Sequence, residues 1–340
     1  MAGITIKRSR PRLFILLILP LLTLAACSGV RYQPISEQVN RPALYDTVAF
    51  MADGYRLALD SYPADNAQAV VIALHGFNDY RRAFAPMCRY LASHRIHCYA
   101  YDQRGFGQTL YRGLWPANGE LQRDLKEMIK LVSEEHPRLP LYVVGESMGG
   151  AVALTTFDEP SAPAVNGIAL LAPAVWARHT QPWYQRFALW LGMQLTPGAK
   201  PTGEHFAVTI SDNTRVLKAL AQDPLIIKGT RVDTIHGLTN LMDQALAASK
   251  AQQVNGLVLY GANDELITKE PTCEMLANIA DGQSRWRFVL YDNGYHLLSR
   301  DLQAENVYHD ITQWIHQPAQ ALDRELNLDN GEWKEKYCGA

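Results

Sequence analysis

The sequence predicts an α/β protein: a mostly parallel sheet flanked by helices, with one inserted helical element. Three observations carry that prediction. Short runs of consecutive apolar residues (Ala69–Leu74, Leu141–Val144, Gly167–Leu171, Gly256–Tyr260) recur along the chain, and strands apolar without a break are those buried on both faces of a parallel sheet. Helical patterns lie between them, as in Leu121–Glu135, where Leu125, Met128, Ile129 and Val132 share one face. The rhythm fails once, between a strand ending near Ala172 and one starting near Gly256. The roughly eighty residues there exceed an ordinary connection and must hold an insertion.

At the N-terminus, Lys7, Arg8, Arg10 and Arg12 precede an apolar run from Leu13 to Leu24, closed by Leu24-Ala25-Ala26-Cys27. A basic segment, a short apolar core and small residues describe a secretory signal peptide over residues 1–26. The run is about a dozen residues long, broken by Pro20, and too short for a comfortable membrane span. Its ending resembles a bacterial lipoprotein box, in which Cys27 becomes the lipidated first residue. Ordinary cleavage and an uncleaved anchor are the alternatives. By the same resemblance Ser28 favours the outer over the inner membrane. Loss of residues 1–26 removes four basic residues and no acidic one, taking the formal charge from −2 to −6. Such a body needs acyl chains, not charge, to stay on an anionic membrane. Nothing in this balance argues for nucleic-acid binding.

Residues 27–45 read as the lipidated cysteine and a tether, because prolines and polar residues follow without periodicity. Thr47–Met51 and Tyr55–Asp60 flank the turn signal Ala52-Asp53-Gly54, so a β-hairpin opens the first part of the core, residues 46–174. Strand Ala69–Leu74, helix Arg82–His94, strand His97–Tyr101 and helix Leu121–Glu135 follow, then strands Leu141–Val144 and Gly167–Leu171. Residues 175–250 are the insertion and a connecting helix. Within them Trp183, Phe187, Trp190 and Leu191 recur at helical spacing over Gln181–Leu195. The stripe is a candidate acyl-chain lining or bilayer contact, or else packs the insertion onto the core. Residues 251–320 complete the core with strands Gly256–Tyr260 and Arg287–Tyr291 and helices Glu270–Ile279 and Glu305–Ile315. Residues 321–340 form a C-terminal tail.

Beyond Cys27 there are four cysteines. An oxidising compartment permits disulfides, and Cys88 with Cys98 is the nearest pair, on a helix and the strand after it. Cys273 with Cys338 would then staple the tail to the body. Four free thiols are the alternative. No Cys or His spacing suggests a metal, and no cofactor is called for.

The chemistry centres on Gly145-Glu146-Ser147-Met148-Gly149, between a β-branched strand and a small-residue helix. That is the strand–turn–helix setting of a nucleophile elbow, a tight turn that exposes a serine hydroxyl at the carboxyl end of a sheet. A serine needs a base to take its proton and a carboxylate to orient the base, in chain order Ser, acid, His. Asp264 lies in the loop after strand Gly256–Tyr260, with Glu265 and Asp292 as alternative acids. His296 lies in the loop after strand Arg287–Tyr291. The tetrahedral intermediate needs preorganised donors, expected at the backbone N–H groups of Met148 and Phe77. His75 should brace the Phe77 loop.

His75-Gly76, Asp102-Gln103-Arg104-Gly105-Phe106-Gly107, Gly145-Glu146-Ser147-Met148-Gly149-Gly150, Gly261-Ala262-Asn263-Asp264 and Gly294-Tyr295-His296 together resemble the α/β-hydrolase superfamily. More narrowly they resemble its monoacylglycerol lipase/lysophospholipase branch, which shares a sequence family with serine aminopeptidases. Glu146 stands where many lipases of the branch carry His. Gly105-Phe106-Gly107 lacks the third glycine of a dinucleotide loop. The resemblance implies an α/β-hydrolase fold whose insertion caps the site, and a serine esterase acting on monoacylglycerol- or lysophospholipid-like esters without a cofactor. Two other readings stay open. A peptidase of the aminopeptidase type would use cap carboxylates, such as Glu204, Asp212 or Asp233, to hold a free amine. An inert scaffold would keep the fold without turnover.

Overall fold

The computed structural model describes residues 29–35, 40–117, 119–201, 208–280 and 285–339. The signal peptide, Cys27, Ser28 and Glu204 lie outside them. Apolar runs build the sheet: β1 (Ala43–Tyr45), β2 (Val48–Phe50), β3 (Arg56–Tyr62), β4 (Ala69–Leu74), β5 (Ile96–Tyr101), β6 (Leu141–Glu146), β7 (Gly167–Leu171), β8 (Gly256–Gly261), β9 (Trp286–Tyr291) and β10 (Glu325–Leu326). They lie in the order β1-β2-β3-β5-β4-β6-β7-β8-β9-β10. The six strands from β5 to β9 in that order pair in parallel. Antiparallel strands close both edges, β1 to β3 on one side and β10 on the other.

Residue alternation divides the core. Val70, Ile72 and Leu74 of β4 point into one apolar cluster and Ala69, Val71 and Ala73 into the other, all essentially unexposed. Helices α1 (Ala85–Ser93) and α8 (Ala304–His316) cover the second cluster. Helices α2 (Glu120–Glu135), α3 (Met148–Phe157), α6 (Val232–Ala248) and α7 (Lys269–Ala280) cover the first. The expected helix at Arg82–His94 begins as a 3-10 turn over Arg81–Phe84, and Pro86 then opens the α-helical part.

The insertion contains α4 (Trp183–Leu195) and α5 (Thr214–Gln222), which stand over the carboxyl ends of the strands. Its last helix, α6, packs against α3 and belongs to the core layer. Two expected loops are more ordered than the sequence indicated. Within the tether, Ala43–Tyr45 pairs with β2, and Gln33 is buried, its backbone N–H donating to Trp115 O at 3.0 Å. In the tail, β10 extends the sheet, while Trp333 and Tyr337 sink into the core. Disulfides join Cys88 to Cys98 and Cys273 to Cys338.

Candidate active site

Strand β6 ends at Glu146, and the chain turns into α3 through Ser147, whose φ of 53° and ψ of −114° lie where a non-glycine residue is strained. The two flanking glycines make the turn possible. A Cβ on Gly145 would sit 2.5 Å from the Gly149 carbonyl carbon, and one on Gly149 would sit 2.1 Å from Leu74 O. Strand β4 therefore lies hard against the elbow, and Gly76, just beyond it, faces the Ser147 side chain. The oxyanion donors expected from sequence flank this point. Met148 begins α3, so its N–H has no intrahelical acceptor. Among the described residues no loop backbone hydrogen bond uses the Phe77 N–H.

His75 braces that loop. The Gln103 N–H can only donate, so Nε2 of His75 accepts from it at 2.9 Å, and Nδ1 donates to Gly76 O at 2.8 Å. Both ring nitrogens are engaged in a neutral tautomer, and burial holds its pKa below the ordinary imidazole value.

The loop after β8 brings Asp264 to His296. Asp264 Oδ2 lies 2.8 Å from His296 Nδ1, while Oδ1 accepts the N–H groups of Leu266 at 2.8 Å and Ile267 at 3.0 Å. Burial alone would lower the His296 pKa. The charge of Asp264 and its hydrogen bond outweigh that, and the pKa is raised above 6.5. With Nδ1 donating to Asp264, Nε2 is left to accept a proton. Of the alternative acids, Glu265 accepts the Thr209 N–H and Asp292 is exposed. Neither holds His296.

Ser147 and His296 line a cavity of about 1000 Å³ whose wall is mostly aliphatic, including Leu189, Ile210, Leu220, Ile235, Leu238 and Met242. Of the roles open to the α4 stripe, acyl-chain lining does not hold. Trp183, Phe187, Trp190 and Leu191 are 70%, 53%, 56% and 37% exposed and do not line the cavity. Gln185 and Leu189, one turn apart on the other side of the helix, do so instead. Gly192 seats α4 against Val232 of α6, which turns the aromatic stripe outward.

A buried ion cluster beside Ser147 is not apparent from the sequence. Arg300 Nη1 lies 2.7 Å from Asp79 Oδ2 and Nη2 lies 3.0 Å from Glu146 Oε2. Ser299 Oγ donates to Glu146 Oε1 at 2.8 Å. The available signal was Glu146 itself, a carboxylate in an apolar elbow that demands a cationic partner. Among the described residues no group of three or more His, Cys, Asp or Glu side chains is placed to hold a metal ion.

Residues 65–303 match the protein family described as serine aminopeptidase, S33. The chain belongs to that family. This S33-family serine hydrolase is 25% identical to human monoglyceride lipase over 295 residues, spanning 85% of this chain and 92% of the relative. It is also 25% identical to a monoacylglycerol lipase of Mycolicibacterium smegmatis over 269 residues, 77% and 93% of the two chains. Among solved structures, a soluble variant of Saccharomyces cerevisiae monoglyceride lipase in complex with a substrate analogue superposes with a TM-score of 0.68. It is 17% identical, covering 86% of this chain and all of the other. The architecture is thus the α/β-hydrolase fold expected from the sequence motifs.

Proposed function

We propose that this S33-family hydrolase cleaves carboxylic esters of the monoacylglycerol or lysophospholipid type. The observation that carries the reading is the aliphatic cavity of about 1000 Å³ that opens on Ser147 and His296 beneath the cap helices. A cavity of this size with few polar groups suits a fatty acyl chain, and the names of the lipase relatives agree with it. In the first half-reaction Ser147 Oγ attacks the ester carbonyl while His296 Nε2 takes the hydroxyl proton. The Phe77 and Met148 N–H groups stabilise the oxyanion, and Asp264 holds the imidazolium. Collapse expels the alcohol, which receives that proton from His296. Water, deprotonated by His296, then attacks the acyl-enzyme; collapse releases the acid, and His296 returns that proton to Ser147 Oγ.

We further propose that the enzyme sits on the bacterial cell envelope, anchored through lipidated Cys27 on the outer membrane; the basic segment, short apolar run and Leu24-Ala25-Ala26-Cys27 ending support this. The outward aromatic face of α4 supports contact with a bilayer, where Trp and Phe are favourable. No helix among the described residues is long and apolar enough to cross a membrane.

The test compares protein lacking residues 1–27 with its Ser147→Ala form on a monoacylglycerol, a lysophospholipid, short- and long-chain esters and an aminoacyl amide. Serine-dependent release from the long-chain lipids is expected. Cleavage confined to the amide or to short esters would overturn the substrate, and equal rates in both forms would leave a scaffold. Loss of membrane association in full-length Cys27→Ser is the expected sign of the anchor.

A further inference from the structure

Three loops that leave different strands meet at one side chain. Asp79 lies two residues beyond Phe77 in the loop after β4, Glu146 is the last residue of β6 and precedes Ser147, and Arg300 lies four residues beyond His296 after β9. Arg300 reaches both carboxylates with separate nitrogens, at 2.7 Å and 3.0 Å. All three side chains are nearly or fully buried, with side-chain exposures of 7%, 10% and 0% for Arg300, Asp79 and Glu146. Burial opposes the guanidinium charge, and the two carboxylates overcome it, so its pKa is raised. Ser299 takes the second Glu146 oxygen, and Arg300 O accepts from Asn213 Nδ2 of the cap at 2.9 Å.

We propose that Arg300 is a positioning residue of the hydrolytic site: its bridge between Asp79 and Glu146 fixes the oxyanion loop, the nucleophile elbow and the histidine loop relative to one another. A guanidinium does this because its rigid planar fork holds donors on two separate nitrogens, Nη1 for Asp79 and Nη2 for Glu146, whereas the three donors of a lysine radiate from one atom on a flexible stem. The geometry of attack depends on all three loops, and misplacement of about 1 Å costs roughly 10²-fold in rate. The cluster also touches the base electrostatically. The groups acting on His296 are Asp264 and Glu146, which raise its pKa, and Arg300, which opposes them. Removing the Glu146 charge therefore lowers the His296 pKa.

The inference rests on the assignment of Ser147 and His296, so Ser147→Ala is measured alongside. On a soluble short-chain ester, Arg300→Lys is expected to lose roughly 10- to 100-fold in kcat with KM within about 2-fold. Labelling of Ser147 by a fluorophosphonate should slow in parallel, in protein whose near-UV dichroism matches wild type. Glu146→Gln, which keeps the Ser299 contact, should lower kcat and move the acid limb of the kcat/KM profile to lower pH. Wild-type kcat in folded Arg300→Lys overturns the clamp even if thermal stability falls. Should Arg300→Lys not fold, an unmoved kcat and acid limb in Glu146→Gln overturns it. Turnover that survives Ser147→Ala removes the underlying reading and the clamp together, whereas turnover lost there but kept in Arg300→Lys removes the clamp alone.

Discussion

Replacing Asp264 by Asn changes one atom pair and tests the whole proton path. Asp264 now accepts three hydrogen bonds: His296 Nδ1–H through Oδ2, and the Leu266 and Ile267 N–H groups through Oδ1. The asparagine oxygen stays with the two backbone N–H groups, because only an oxygen can accept them. Its NH₂ then faces Nδ1, which must become an acceptor, and the ring proton moves to Nε2. An imidazole with Nε2–H cannot take the serine proton. The wrong tautomer in a Ser–His–Asp site costs about four powers of ten in kcat, which corresponds to about 5 kcal/mol of barrier. The pH profile adds a second reading. In the wild type the raised His296 pKa keeps the ring protonated to higher pH than an ordinary histidine, so the acid limb of kcat/KM should lie on the alkaline side of where an unperturbed imidazole would put it. In Asp264→Asn the opposing effect of burial remains without its counterweight, and the limb should move down. Steady-state hydrolysis of a short-chain ester between about pH 5 and 9 measures both. A kcat within about tenfold of wild type, in folded protein and with an unmoved acid limb, would refute the orienting role of Asp264.

Two further predictions follow from the cavity and the cross-links. Leu189→Trp fills the cavity from α4; each methylene it excludes forfeits about 0.8 kcal/mol, so losing room for three should cut kcat/KM on dodecanoyl esters by about 50-fold while butyryl esters change little, as a chain-length series measures. The Cys273–Cys338 disulfide spans 65 residues and Cys88–Cys98 spans 10, so by loop entropy Cys338→Ser should destabilise by about 4 kcal/mol and Cys88→Ser by about 3 kcal/mol, read from urea midpoints of non-reduced protein.

The strands and the elbow were legible because their causes are local. Ala69–Leu74 is apolar at every position since both faces are covered, and Gly145 and Gly149 are required by contacts within the turn and with the adjacent strand. The orientation of α4 was not legible. Its apolar residues occur on two sides, and the larger stripe reads equally as cavity lining, bilayer contact or packing onto the core, because the rule that apolar residues lie inside does not run in reverse. Only the docking of Gly192 on Val232 decides which side meets the cavity. Arg300 was invisible for another reason: its partner Glu146 is 154 residues away, and nothing local marks one arginine among many as buried. Strand β1 is three residues long and exists through pairing with β2, so a tether was the natural reading of its sequence.

The family's aminopeptidase description raises the question of what this cavity would do with a peptide. Recognising a free N-terminal ammonium requires a carboxylate with unspent charge. Asp79 and Glu146 are the carboxylates lining the cavity among the described residues; Arg300 bridges both, and Lys228 on the same wall offsets the one negative charge that a single guanidinium leaves. Asp212 accepts the Leu302 N–H at 2.8 Å, while Asp233 is fully buried against Arg231 and the Arg31 N–H. Among the described residues, an aminoacyl substrate would thus find its ammonium against leucine and isoleucine side chains, where desolvation of an unpaired charge costs several kcal/mol. A fatty acyl chain in the same place gains about 0.8 kcal/mol with every methylene it buries. The wall of the cavity, more than the shared catalytic groups, is what separates the two chemistries.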